Sequence, residues 1–129
     1  MNAIVVDTHA IVWYFLQSKK LSAPALTAID NADSVYLAAI SVIEIIYLQE
    51  KGKIPEVALQ RLNQALADSH TSWLVMPLTI EIAQSIMQIP RNIVPEMADR
   101  IIAATAFYLS LPLVTCDSKI HSVNMQIIW

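Results

Sequence analysis

A chain of 129 residues with 56% apolar and 15% charged side chains has ample material for a core, which excludes disorder and suits one domain spanning residues 1–129. A membrane span is excluded as well, because the longest uncharged run, Ile101 to Cys116, is split by Pro112 and falls short of the ~20 apolar residues needed. The net charge of −3 argues against a broad basic surface for nucleic acid, and a single glycine, Gly52, rules out a glycine-rich phosphate loop.

Ala3–Val6, short, apolar and β-branched, predicts a buried strand. Thr8–Leu16 predicts a helix that is apolar on most faces. Leu21–Ala32 predicts a second, with Ser22 as N-cap and Pro24 in its first turn. Val35–Ala38 reads as a strand. Ser41–Lys51 reads as a helix opened by a Ser-x-x-Glu capping pattern and stopped near Gly52. Pro55–Asp68 is amphipathic, with Val57, Leu59, Leu62 and Leu66 along one stripe. Trp73–Met76 is a strand and Thr79–Gln88 a helix. A last long helix runs from Pro95 to about Ser110, followed by strands at Leu113–Thr115 and Ile127–Trp129. Strands alternating with helices predict an α/β fold, a three-layer α/β/α sandwich around a central, mostly parallel sheet.

In such sheets ligands bind beyond the carboxyl ends of the strands. Asp7 directly follows Ile4-Val5-Val6, and Asp117 follows Leu113-Val114-Thr115 with only Cys116 between. Glu44 is expected in the first turn of the helix after the second strand, and Asp99 in the second turn of the helix from Pro95. Each acid has a structural alternative. Asp7 and Asp117 suit N-caps, Glu44 completes a capping box with Ser41, and Asp99 calls for an ion pair with a basic side chain. One shared cause is more economical, since clustered carboxylates repel unless a cation lies between them. Oxygen ligands select Mg²⁺ or Mn²⁺, which suit phosphate chemistry. Thr115, near Asp117, reads either as a plain strand residue or as a hydrogen-bond partner of a carboxylate or a metal-bound water. Arg100 points away from Asp99 and reads as an ion-pair partner.

These blocks together resemble PIN-domain ribonucleases, in particular type II toxins of the VapC kind. The resemblance is carried by Ile4-Val5-Val6-Asp7-Thr8-His9-Ala10, Ile40-Ser41-Val42-Ile43-Glu44-Ile45, Pro95 to Ala106, and Leu113-Val114-Thr115-Cys116-Asp117, and it covers essentially the whole chain. It implies a Mg²⁺- or Mn²⁺-dependent endoribonuclease whose four acidic positions fall on Asp7, Glu44, Asp99 and Asp117. Glu96 stands where the family often carries a second acid, three residues before Asp99. The resemblance also implies an RNA substrate, a homodimer and a cognate antitoxin protein.

Two other classes compete. In aspartyl phosphotransfer domains Asp7 would be the nucleophile, but the acid expected two residues on is His9. A non-catalytic, degenerate PIN-like interaction domain would have no need of four converging acids. The apolar surplus predicts exposed patches of the kind that mark partner surfaces. Of Trp13, Tyr14 and Phe15, two are expected in the core and one facing a partner. Cys116, the single cysteine, reads as a small buried hydrophobe. A lone cysteine forms no internal disulfide, and Asp7 interrupts the first apolar run with no basic segment ahead of it. Both agree with a cytoplasmic location.

Overall fold

The computed structural model describes residues 2–129. Five strands, β1 (Ala3–Val6), β2 (Ser34–Ala38), β3 (Trp73–Met76), β4 (Leu113–Val114) and β5 (Ile127–Ile128), form one sheet in the order β3-β2-β1-β4-β5. All four pairings are parallel. Seven helices connect them: α1 (Thr8–Phe15), α2 (Ala23–Asn31), α3 (Ala39–Glu50), α4 (Glu56–Ala67), α5 (Ile80–Ser85), α6 (Met97–Leu109) and α7 (Ser118–His121). No helix among the described residues is long and apolar enough to cross a membrane.

The strands explain the layering. Successive side chains point to opposite faces. In β1, Ile4 and Val6 therefore enter one core with Ile11, Ile29 and Leu62 of α1, α2 and α4, while Val5 enters the other with Ile82, Ile102 and Ile120 of α5, α6 and α7. β4 does the same, with Val114 on the first face and Leu113 on the second. Apolar side chains on both faces are what a parallel sheet covered by helices requires, and the expected three layers are present. The chain runs outward from β1 to β3, then returns to the other side of β1 for β4 and β5. The order reverses between β1 and β4, so a crevice opens at their carboxyl ends.

Several boundaries differ from expectation. α3 begins at Ala39, with Ala38, the last residue of β2, as an N-cap that makes no side-chain cap bond. Ser41 therefore lies inside the helix, and the capping box with Glu44 does not form. α6 begins at Met97 after Glu96 as N-cap, two residues later than the Pro95 start. The turn from Pro90 to Val94, closed by the Ile93 and Val94 amides on the Pro90 carbonyl, delays helix entry. The Thr79–Gln88 segment divides into α5, capped by the Thr79 hydroxyl, and a 3-10 turn over Ile86–Gln88. Among the described residues Arg100 forms no ion pair. Its guanidinium donates to the Ile86 and Ile89 carbonyls at 2.9–3.1 Å and so ties α6 to the segment after α5. Cys116 is exposed, because the chain leaves the sheet at Val114. Trp13, Tyr14 and Phe15 are all half-buried against the α1-side core. The expected apolar patches are present, with Ile43, Ile46 and Tyr47 exposed on α3 and Met97, Phe107 and Tyr108 on α6.

The α1-side layer rests on few large side chains. Leu62 of α4 is fully buried there. Leu62→Ala is expected to cost about 2–5 kcal/mol of unfolding free energy, read from the midpoint of a urea titration, with the secondary structure of the folded state unchanged.

Candidate active site

Asp7 sits at the junction of β1 and α1, where it is only 8% exposed. As N-cap of α1 it accepts the Ala10 amide on Oδ1 at 3.0 Å, so the capping role is real. Its Oδ2 accepts the hydroxyl of Thr115, a fully buried side chain one residue beyond β4. Thr115 Oγ1 in turn accepts the Asp117 amide at 3.1 Å. A single hydroxyl thus links the first and last acids across the β1–β4 crevice. Asp117 caps α7 by accepting the Lys119 amide on Oδ1 at 2.9 Å.

Glu44 lies in the second turn of α3, since that helix starts early. Its Oε1 accepts the hydroxyl of Thr8 at 2.5 Å, and the same hydroxyl lies 3.1 Å from Ser41 Oγ. Thr8 and Ser41 are both buried, at 3% and 0% exposure. Neither was singled out as a site residue from the sequence. Ser41 stands one turn before Glu44 on the same helical face, but that spacing also reads as a capping box and concealed its role.

Asp99 lies in the first turn of α6 and is half-buried. Among the described residues no hydrogen-bond donor and no basic side chain reaches its carboxylate. The one ion pair among the described residues is the exposed His70–Asp68 contact. Glu96 is exposed at the N-cap of α6 and makes no cap bond.

The electrostatics show that these acids share one space. Burial, followed by the charges of Asp117, Glu44, Asp7 and Glu96, pushes the Asp99 carboxyl up to about 6. Every contribution is upward, because nothing donates to Asp99. Burial also raises Asp7. The Thr115 hydroxyl, the Ala10 amide and the charge of His9 oppose that rise, and Asp117 adds to it. The other three predicted acids, with Glu96 at the margin, therefore act on Asp99 through their charge.

The donor set is all carboxylate oxygen, the chemistry that selects a hard divalent cation over zinc. Among the described residues, no three His, Cys, Asp or Glu side chains are already gathered tightly enough to hold an ion. Like charges with no cation between them favour separation. The half-buried Asp99, with four acids acting on it and no compensating partner, fits a cation as the missing member. A separate cavity of about 450 Å³, lined by residues of α1, α2 and α4 that include Trp13, Phe15, Leu26 and Arg61, contains none of the four acids.

The PIN domain family matches residues 4–124 of this sequence. The chain belongs to the PIN-domain family. Ribonuclease VapC22 of Mycobacterium tuberculosis is 32% identical over 124 residues, covering 95% of this chain and 92% of that protein. Solved structures share the fold at lower identity. A toxin–antitoxin complex from Klebsiella pneumoniae superposes with a TM-score of 0.70 at 17% identity, over 98% of this chain and 96% of that one. VapBC2 from Rickettsia felis, bound to a DNA fragment from its promoter, gives 0.71 at 15%, over 97% and 96%. FitAcB from Neisseria gonorrhoeae gives 0.64 at 24%, over 96% and 95%.

The unpartnered acid of this PIN domain has a measurable consequence. An aspartate whose pKa is about 6 when folded and near 3.8 when unfolded is neutral in both states at low pH. As pH rises between those values the unfolded chain gives up the proton first, so folding stability falls and stays reduced above about pH 6. In EDTA, Asp99→Asn is expected to raise Tm at pH 7.5 and to leave it nearly unchanged at pH 4, as read by differential scanning calorimetry.

Proposed function

We propose that this PIN domain is a divalent-metal-dependent endoribonuclease that hydrolyses RNA phosphodiester bonds, and that it is the toxin of a type II toxin–antitoxin system acting in the cytoplasm. The observation that supports the reading most is the upward push on Asp99 from burial and from the charges of Asp117, Glu44 and Asp7, with no donor to its carboxylate among the described residues. The relationship to a protein named as a ribonuclease supports the reaction class.

Asp7, Asp99 and Asp117, with Glu44, are the residues that would hold Mg²⁺ or Mn²⁺. When bound, such an ion polarises a phosphoryl oxygen, lowers the pKa of water and offsets charge gained in the transition state. The chain's own contribution is orientation. The Ala10 amide and the Thr115 hydroxyl fix both oxygens of Asp7, and the Lys119 amide fixes one oxygen of Asp117. Asp99, which accepts nothing from the protein, keeps both oxygens for the ion. Glu44 holds one oxygen on Thr8 and would use the other to complete the ion's shell or to position the attacking water. Thr115 supports Asp7, and Glu96 supplies negative charge at the rim.

A net charge of −3 is compatible with an RNA substrate when binding is local to the acids, since one or two divalent ions would bring the protein close to neutrality. The exposed apolar residues of α3 and α6 favour a homodimer, and the cavity between α1, α2 and α4, which combines Trp13, Phe15 and Leu26 with Asp30 and Arg61, favours docking of an antitoxin segment. The fold relative from Klebsiella pneumoniae was solved as a toxin–antitoxin complex, which supports an antitoxin partner.

With single-stranded RNA and Mn²⁺, cleavage is expected from the wild-type protein and none after EDTA. Asp7→Asn and Asp99→Asn are each expected to reduce the rate by roughly 100-fold or more while the circular dichroism spectrum is preserved. Folded variants with undiminished cleavage would overturn the site, and full activity in EDTA would overturn the metal dependence. In bacteria, expression of the chain alone is expected to arrest growth, and Asp99→Asn to relieve the arrest.

A further inference from the structure

Glu44 differs from the other acids in where it comes from. Asp7, Asp117 and Asp99 emerge at strand ends or in a helix's first turn, where backbone amides are available. Glu44 lies in the second turn of α3, beyond the free amides of the helix N-terminus. Among the described residues its donor is the side chain of Thr8, from a different element. A glutamate has three rotatable side-chain bonds and, in a cleft of like charges, is driven outward to solvent. The Thr8 hydroxyl opposes that.

The burial of the pair is informative. Thr8 and Ser41 are almost fully enclosed, at 3% and 0% exposure. Two enclosed hydroxyls carry a desolvation cost unless each finds a partner. Here they bond one another, and the chain ends on Glu44 Oε1. Thr8 is also the residue after Asp7, so the turn that caps α1 sets two acids at once. It fixes Asp7 through the Ala10 amide and Glu44 through the Thr8 hydroxyl.

We propose that Thr8, backed by Ser41, is a positioning residue of the acidic site, holding Glu44 Oε1 so that the other carboxylate oxygen faces the cleft. The inference rests on the metal-dependent nuclease reading for the role of Glu44, but the hydrogen-bond geometry stands without it. Outer partners of metal-ligating carboxylates change affinity or activity by about 10- to 100-fold when removed.

The test is a double-mutant cycle on the whole chain, using Thr8→Val, Glu44→Ala and the pair, with two readouts. The first is Mn²⁺ affinity of the metal-free protein by titration calorimetry. The second is kcat and KM for cleavage of a single-stranded RNA. Thr8→Val, nearly isosteric, is expected to weaken Mn²⁺ affinity or lower kcat by about 10-fold or more with KM little changed. Thr8→Ser, which keeps the hydroxyl, is expected to restore both. On the Glu44→Ala background the Thr8 change is expected to have no further effect, because a residue that acts through Glu44 has nothing left to position. An equal loss with and without Glu44 would overturn the inference, as would wild-type values for Thr8→Val. Should Thr8→Val not fold, Thr8→Ala carries the same cycle. Absence of cleavage by the wild-type chain would remove the nuclease reading, and the Mn²⁺ affinities alone would then decide the role of Thr8.

Discussion

Carboxylates confined to one partly buried crevice repel one another, and the strength of that repulsion organises the rest of the molecule. In water, two charges a few ångströms apart interact weakly; in a crevice walled by apolar strands and helices the interaction is several times larger. Asp99 registers it most directly, with its carboxyl held well above the ordinary range by burial and by four acidic neighbours. A sheet whose strand order reverses at β1 and β4 is the device that imposes the confinement. It brings residues 7 and 117 of the sequence side by side, and α3 and α6 carry the other two acids to the same rim.

Against that repulsion the protein supplies a graded set of donors. Asp7, the most buried acid, receives the most support, one bond to each oxygen. Asp117 and Glu44 each have one oxygen held. Asp99 has none. The gradient separates acids that the fold secures by itself from one left to a cation. It also accounts for Thr115, a fully buried hydroxyl that donates to Asp7 and accepts from the backbone of Asp117. The same β1–α1 turn exposes the first helical residue, Thr8, to α3, so the local geometry of five residues, Val6 to Ala10, decides the placement of two acids.

The strands and the acids at their ends were legible in the sequence because each depends on local pattern. Ile4-Val5-Val6 followed by Asp7 is a buried strand ending in a cap, and it forms as read. The starts of α3 and α6 were not legible, because local capping signals competed with tertiary context. Ser41 has the right neighbour for a capping box, but the end of β2 delivers the chain into a helix two residues sooner and draws the hydroxyl inward. Pro95 suits a helix start, but the turn anchored by buried Val94 postpones it. Thr8 was invisible as a site residue because its partner lies 36 positions away. Cys116 was misread for a related reason. Its composition suits a core, yet it lies two residues past the end of the two-residue strand β4, where the chain has left the sheet. Arg100 was expected to neutralise an acid, but the carbonyls of Ile86 and Ile89 claim it, so its charge does not offset Asp99.

The most direct measurement is a crystal grown with Mn²⁺ and recorded above the manganese absorption edge. An anomalous peak in the β1–β4 crevice, within about 2.1 Å of carboxylate oxygens from Asp7, Asp99 or Asp117, is the expected result. An empty crevice under saturating Mn²⁺, with those carboxylates turned apart, would contradict the claim that their convergence serves to bind a cation.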